Sequence, residues 1–205
     1  MASGRKRSDE KHGSIKRRSG KRLSINLRIT GGTLRGRRVC VPAGIIRPSM
    51  DKMRESVFAR LGDLSRMSFL DLFTGSGIIA LEAASRGADY IEAVEGDPFK
   101  RKTLLENVSI SPVRINCHFM KVELFVLKAK RSFDYIFLDP PFPYQYKWDL
   151  LARIAASPLI SRETLIMIHR PRPDYPKEGI DLLQKQDSRE YGRSVVDFFN
   201  VAYYN

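Results

Sequence analysis

The chain has 205 residues, 42% of them hydrophobic and 29% charged, and carries a formal net charge of +13 at pH 7. That length suits one well-buried domain with an appendage. No run of about 18 apolar residues is present and no apolar stretch follows the basic amino terminus, so neither a membrane span nor a secretory leader is expected. A transit peptide is disfavoured by Asp9 and Glu10. Cys40 and Cys117 are far apart and form no CxxC pair. They read as small buried hydrophobes in a reducing, cytoplasmic compartment.

The charge becomes informative once it is located. Residues 1–24 hold nine Lys/Arg and two acids, and residues 25–60 hold eight and two. Residues 61–205 hold nineteen of each sign. All the excess positive charge therefore lies in the first 60 residues, the pattern of a neutral core with a basic arm for a polyanion. The competing reading is a solubilising tail, and for residues 1–24 alone it stands nearly level.

In chain order, residues 1–24 have too few apolar side chains to pack and are expected to be a disordered tail when free. "LRIT" and "RRVCV" flank a glycine-containing turn and predict a β-hairpin lined with arginines. "RPSMDKMRESVFARLG" predicts a helix capped by Ser49 or Asp51, with Met53, Val57, Phe58 and Leu61 on one face and Gly62 at its end. From residue 68 the pattern alternates: "SFLDLF" strand, "IIALEAASRG" helix, "DYIEAVE" strand, "PFKRKTLLENVSI" helix, "VRINCHF" strand. "VELFVLKAK" helix, "FDYIFLD" strand, "KWDLLARIAA" helix and "TLIMIHR" strand follow. Two last β segments around Tyr191-Gly192 predict a closing hairpin. This order implies an α/β fold with a Rossmann-like, mostly parallel sheet, helices on both faces and an antiparallel end.

The first turn of that sheet carries chemistry. Gly75 and Gly77 fall between strand and helix, where ligands bind at the carboxyl ends of strands. Read as GxGxxA, they pass for a dinucleotide fingerprint, with Glu95 eighteen residues beyond Gly77 placed to accept ribose hydroxyls. A P-loop is excluded, because no GK[ST] follows. Asp71, inside the strand, does nothing for a pyrophosphate but suits a cationic ligand such as S-adenosylmethionine.

"LDPPF" ends a later strand at the same sheet edge. Each proline fixes its own φ and offers no N–H, so Asp139, Pro140 and Pro141 form a stiff corner that presents only acceptors. Phe142 adds a flat apolar face. A planar base with an exocyclic amine fits there, its two N–H groups meeting two acceptors and its ring stacking. The bland alternative is a buried Asp cap before a proline turn.

LDLFTGSG, AVEGD and LDPPF, in that order, resemble the motifs of class I, S-adenosylmethionine-dependent amino-methyltransferases. "RITGGTLRGRRV…RPSMDKMRESVFARL" and "REYGRSVVDFF" are similar to the opening and closing segments of the bacterial RsmD-type family, which methylates the guanine N2 amine of 16S ribosomal RNA. The resemblance implies a seven-stranded methyltransferase sheet and S-adenosylmethionine as cofactor. It places Asp71, Gly75 and Gly77 at the methionine end and Glu95 at the ribose, with Phe73, Thr74, Ser76, Gly96 and Asp97 also among the cofactor-binding residues. Lys121 and Val122 fall where such enzymes usually carry Asp or Asn near the adenine amine. The target base falls to Asp139, Pro140, Pro141 and Phe142. The partner implied is 16S RNA or the small ribosomal subunit, gripped at its phosphates by Arg28, Arg35, Arg37, Arg38, Arg47 and Arg54. Arg54 has a structural alternative, pairing with Asp51 or Glu55.

The organisation expected is a basic tail over 1–24, an RNA-binding hairpin and helix over 25–62, and a methyltransferase domain over 63–205, monomeric, without metal and off the membrane. Tyr144, Tyr146 and Trp148 either stack on neighbouring bases or pack under the next helix. His169, where the family often has Glu, reads as a substrate contact or, more commonly for a lone histidine at a strand end, as a polar cap, and the cap is favoured. The rivals are a DNA adenine-N6 or cytosine-N4 methyltransferase, a non-catalytic RNA-binding module of the same fold, and a dinucleotide oxidoreductase. A DNA methylase usually carries a recognition domain for which 205 residues leave no room.

Overall fold

The computed structural model of the protein describes residues 24–42, 48–175 and 180–202. The expected tail and Arg47 lie outside these residues. Strands β1 (Ser24–Arg28) and β2 (Arg38–Pro42) form the predicted hairpin, paired antiparallel from Ser24↔Pro42 to Arg28↔Arg38. Helix α1 (Pro48–Leu61) starts on a proline, which suits a first turn where no N–H partner is needed. The remaining elements are β3 (Ser68–Leu72), α2 (Ile78–Ser85), β4 (Tyr90–Val94) and α3 (Arg101–Val108). They continue as β5 (Ile115–His118), α4 (Val122–Leu127), β6 (Tyr135–Leu138) and α5 (Lys147–Ala155). β7 (Leu165–Pro171), β8 (Leu183–Tyr191) and β9 (Ser194–Val201) close the chain.

The main sheet has seven strands in the order β5-β4-β3-β6-β7-β9-β8. β3 to β7 run parallel, and β9 and β8 are antiparallel additions at one end. Every residue of β3 is buried, as a central parallel strand covered on both faces requires. Alternate side chains feed two separate cores. Phe69, Phe137, Met167 and Phe198 pack with α2, α1 and the hairpin, whereas Leu70, Leu138, Ile168 and Phe199 pack with α4 and α5. No helix among the described residues is long and apolar enough to cross a membrane.

The amino-terminal segment is built into this body. Leu27, Ile29 and Val39 of the hairpin region share a core with Met53, Val57 and Phe58 of α1 and with Ile79, Ala80 and Ala83 of α2. The polar centre of that contact is Glu82, which is fully buried. Its Oε1 accepts the Thr30 amide at 2.8 Å and faces the Arg54 Nε at 3.5 Å. Its Oε2 accepts the Thr30 hydroxyl at 3.0 Å and pairs with Arg86.

Hydrogen bonds also orient the hairpin. Its turn docks on the C-terminal end of α2, with the amides of Thr33 and Leu34 donating to Ser85 O and Oγ at 2.7 and 2.8 Å. Its open end is tied to the other end of α2 by Asn107 of α3. That side chain accepts from Cys40 N (3.0 Å) and donates to Cys40 O (2.7 Å) and Ser76 O (2.8 Å).

Candidate active site

At the carboxyl edge of the sheet a cleft of about 580 Å³ is lined by residues including Phe73, Gly75, Glu95, Asp139–Phe142 and His169. The turn after β3 forms one wall. Phe73 takes a left-handed conformation, φ 63°, which costs a residue with a Cβ about 1–2 kcal/mol. The strain turns its ring onto Tyr144, with centroids 5.3 Å apart. The two glycines of the turn serve different ends. Gly75 (φ 59°) faces the cleft, and a Cβ built there meets nothing nearer than Phe73 O at 3.9 Å. Gly77 (φ 82°) faces the protein, where a Cβ falls 2.7 Å from Leu104 and 3.0 Å from Val108 of α3. The first keeps space for a ligand and the second lets α3 close on α2.

Glu95 follows β4 and reaches back across the turn. Its Oε2 accepts the Gly75 amide and its Oε1 the Asp97 amide, both at 2.8 Å, and Lys100 Nζ stands 3.4 Å away. Lys100 donates to both oxygens at 3.4 and 3.5 Å, the longest of these contacts and from a part-exposed side chain, so the two amides aim the carboxylate and the lysine contacts are the ones that hydroxyls would replace. Gly96 lies against the backbone of Met120 and Lys121, where a Cβ would stand 3.6 and 3.7 Å from them. Asp97 accepts from Phe99 N and starts the short helical turn Pro98–Lys100. Lys121 is exposed and its carbonyl accepts from Leu124 N and Phe125 N of α4, while Val122, the first residue of α4, is buried in the core shared with α5.

Asp71 does not line the cleft. It is fully buried, with Oδ2 accepting from Thr74 Oγ1 and from Ala80 N at 3.1 Å. Burial, with smaller repulsions from Asp139 and Glu95, raises its pKa to about 8. The expected counter-charge for a cation is therefore, at neutral pH, a largely protonated brace between β3 and the start of α2. Thr74 and Ser76 are likewise buried, Ser76 offering its carbonyl to Asn107.

The Asp-Pro-Pro-Phe corner forms the opposite wall. Asp139 N donates to Leu72 O at 3.2 Å, which pins the corner beside the β3 turn. Pro141 O is taken by Tyr144 N at 2.7 Å. The other acceptors at the corner are the Asp139 carboxylate, about a quarter exposed, and the carbonyls that precede the two prolines. His169 completes the corner. Its Nδ1 lies 2.8 Å from Asp139 Oδ1, and its ring meets Phe142 edge-on at 5.6 Å. The strand-cap reading of His169 is thus corrected: it is a buried wall of the cleft bonded to Asp139. Parallel pairing of Leu138 with Ile168 is the signal that places these next residues side by side. Met50, Lys100 and Ser194 also line the cleft; Met50 and Ser194 fall inside the two family-like segments, but nothing in the sequence singles out any of the three as a site residue.

Other expectations divide. Trp148 lies in the first turn of α5, where it is buried in the core and donates to Asp174 at 3.1 Å, whereas Tyr146 stays exposed. Arg54 is 1% exposed and bonded to Asp51 Oδ1 (2.9 Å) and Arg28 O (3.1 Å). It is a structural cation and no phosphate contact, for the same reason Glu82 is buried beside it. Arg28, Arg35, Arg37 and Arg38 are exposed but cluster toward the hairpin turn. That turn sits at the C-terminal end of α2, a helix length of roughly 12 Å from the glycine turn. They do not join the cleft.

Residues 27–200 match the model of a family described as Conserved hypothetical protein 95. The chain belongs to this family, the RsmD-type methyltransferases. It is 33% identical over 125 residues to ribosomal RNA small subunit methyltransferase D of Escherichia coli K12, covering 58% of this chain and 62% of that one. The same-named protein of Haemophilus influenzae is 27% identical over 173 residues, covering 78% and 88%. Among solved structures, a hypothetical protein of Thermus thermophilus is 32% identical with a TM-score of 0.72, covering 85% of this chain and 99% of its own.

The cleft fits the methyl donor of such enzymes, S-adenosylmethionine. Gly75 leaves open space beside the turn, and Glu95 presents a carboxylate of the kind that accepts from ribose hydroxyls.

Proposed function

We propose that the protein transfers a methyl group from S-adenosylmethionine to the exocyclic N2 amine of a guanine in 16S ribosomal RNA. The observation that carries this reading is one cleft holding both the Gly75–Glu95 cradle and the Asp139–Phe142 corner. The names of the Escherichia coli and Haemophilus influenzae relatives support ribosomal RNA of the small subunit as the substrate, met in the cytoplasm.

The cofactor supplies an electrophilic methyl group on a sulfonium. The chain's own residues do the rest. Asp139 Oδ1 is engaged by His169, so Oδ2 is the oxygen left for a substrate N–H. A carbonyl of the proline corner accepts the second amine hydrogen, and the Phe142 face stacks on the base. Holding both hydrogens draws the nitrogen from planar toward tetrahedral and aims its lone pair, so the catalysis is chiefly alignment. Asp139 stabilises positive charge growing on that nitrogen. A stacked guanine must be splayed out to enter, and Arg172 and Arg193, which flank a depression beside Phe142, are placed to meet its flanking phosphates.

The test is methyl transfer from labelled S-adenosylmethionine to unmodified small subunits, free 16S RNA and duplex DNA, with products digested and identified by mass. N2-methylguanosine from the ribosomal substrates is expected; methylated adenine or cytosine in DNA refutes the assignment. Asp139→Ala is expected to lower transfer by at least about 10²-fold while leaving cofactor affinity within a few-fold.

A further inference from the structure

His169 holds a polar atom that no other described residue uses. The residue is 3% exposed and lines the cleft, and its Nε2 is buried with no hydrogen-bond partner among the described residues. A buried polar atom left unmade is costly, and one that lines an open cleft calls for a partner supplied by what enters it. Its neighbour fixes what that partner must be. The Asp139 carboxylate only accepts hydrogen bonds, so the 2.8 Å contact requires the ring proton on Nδ1. In the neutral ring this leaves Nε2 as a lone pair, an acceptor. The corner therefore offers, beyond the amine site at Asp139, one further acceptor that is fixed in place by the Asp139 bond and the Phe142 ring.

Among the bases with an exocyclic amine, only guanine carries a ring N–H beside the amine-bearing carbon. Adenine N1 and cytosine N3 are lone pairs at the corresponding place. We propose that His169 determines base specificity: its Nε2 accepts the N1–H of the target guanine while Asp139 holds the N2 amine. An adenine or cytosine amine brought to the same corner sets lone pair against lone pair and leaves Nε2 unpaired. This inference rests on the guanine-N2 reading above and says how the Asp-Pro-Pro-Phe corner, which is shared with methylases of other bases, is restricted to one.

The experiment separates the two ideas. Once the methylated position is mapped by mass, 16S RNA is assembled by ligation with either guanosine or 2-aminopurine riboside there. The analogue keeps the 2-amino group and has a lone pair at N1. The wild-type protein is expected to prefer guanosine in kcat/KM by about 10²-fold or more, as sites built around a substrate N–H do. His169→Asn keeps an N–H near the Nδ1 position for Asp139 and removes the Nε2 acceptor. It is expected to cut the preference at least tenfold, chiefly by losing activity on guanosine, with cofactor affinity and melting temperature near wild type. A wild-type protein that methylates both RNAs equally overturns the role of His169 whatever the variant does. So does an unchanged preference in the variant while N2-methylguanosine is still formed. A methylated adenosine or cytidine in the wild-type product removes the guanine reading and this inference together.

Discussion

Glu82→Gln tests whether the amino-terminal hairpin is held to the body by one buried carboxylate. The wild-type side chain has no exposed surface and faces two cations, Arg54 at 1% and Arg86 at 13% side-chain exposure. The amide keeps the shape and an acceptor for Thr30 N but removes the charge. Breaking a buried ion pair from one side costs about 3–5 kcal/mol, because the remaining charge is left uncompensated. Asp51 and the Arg28 carbonyl still hold one nitrogen of Arg54, which argues for the lower end, about 3 kcal/mol. At this chain length that is a fall in melting temperature of about 6–12 °C. Thermal melts followed by circular dichroism measure it, and hydrogen exchange at the Thr30 amide shows whether the loss is local. Because Arg54 and Glu82 act together, the double variant Arg54→Met/Glu82→Gln is expected to lose less than the sum of the singles. A fall under about 2 °C for Glu82→Gln, at unchanged exchange, refutes the idea that this network anchors the hairpin.

Asp71 gives the protein a pH signature. An unfolded carboxyl near 3.8 and a folded one near 8 mean that the native chain holds the extra proton between those values. Stability from this group is full below about pH 4 and is lost as pH rises toward 8. The melting temperature is therefore expected to decline across that window in the wild type and to decline less in Asp71→Asn; equal slopes refute the assignment. Gly77→Ala combines a positive φ with a clash against Leu104 and is expected to cost about 2–4 kcal/mol in urea unfolding. Gly75→Ala meets no such clash and is expected to act mainly on cofactor affinity, read by calorimetry. Beside Phe142, a second depression of about 380 Å³ is flanked by Arg172 and Arg193. Replacing both arginines by alanine is expected to weaken RNA binding and to lower the slope of log K against log salt by about 1–2.

Much of the site was legible because chemistry in a parallel sheet collects at one edge. Gly75 follows a predicted strand and Glu95 and Asp139 each end one, so their meeting required only that the strands run parallel. What separates Gly75 from Gly77 was not legible, since it depends on how closely α3 approaches. Arg54 was legible in part. Its pairing with Asp51, three residues back, is the local alternative to a phosphate contact, but its burial comes from Glu82, 28 residues away on another helix, of which a basic segment gives no sign. Charge alone likewise suggests hairpin arginines flanking the target base, yet the direction in which the hairpin docks is set by Ser85 and Asn107. His169 was within reach of the sequence through strand register, but a lone histidine at a strand end carries no signal until its neighbour is known.

Asn107 has a consequence for how such a chain can change over generations. Both its amide hydrogens and its oxygen are committed, to the main chain of β2 and to the carbonyl of Ser76. Aspartate at that position turns lone pairs toward two carbonyls, leucine leaves three main-chain groups unpaired, and glutamine overshoots by a methylene. The hairpin and the glycine turn are thus inherited as a unit: neither backbone can drift without a compensating shift in the other, although they lie far apart in the sequence.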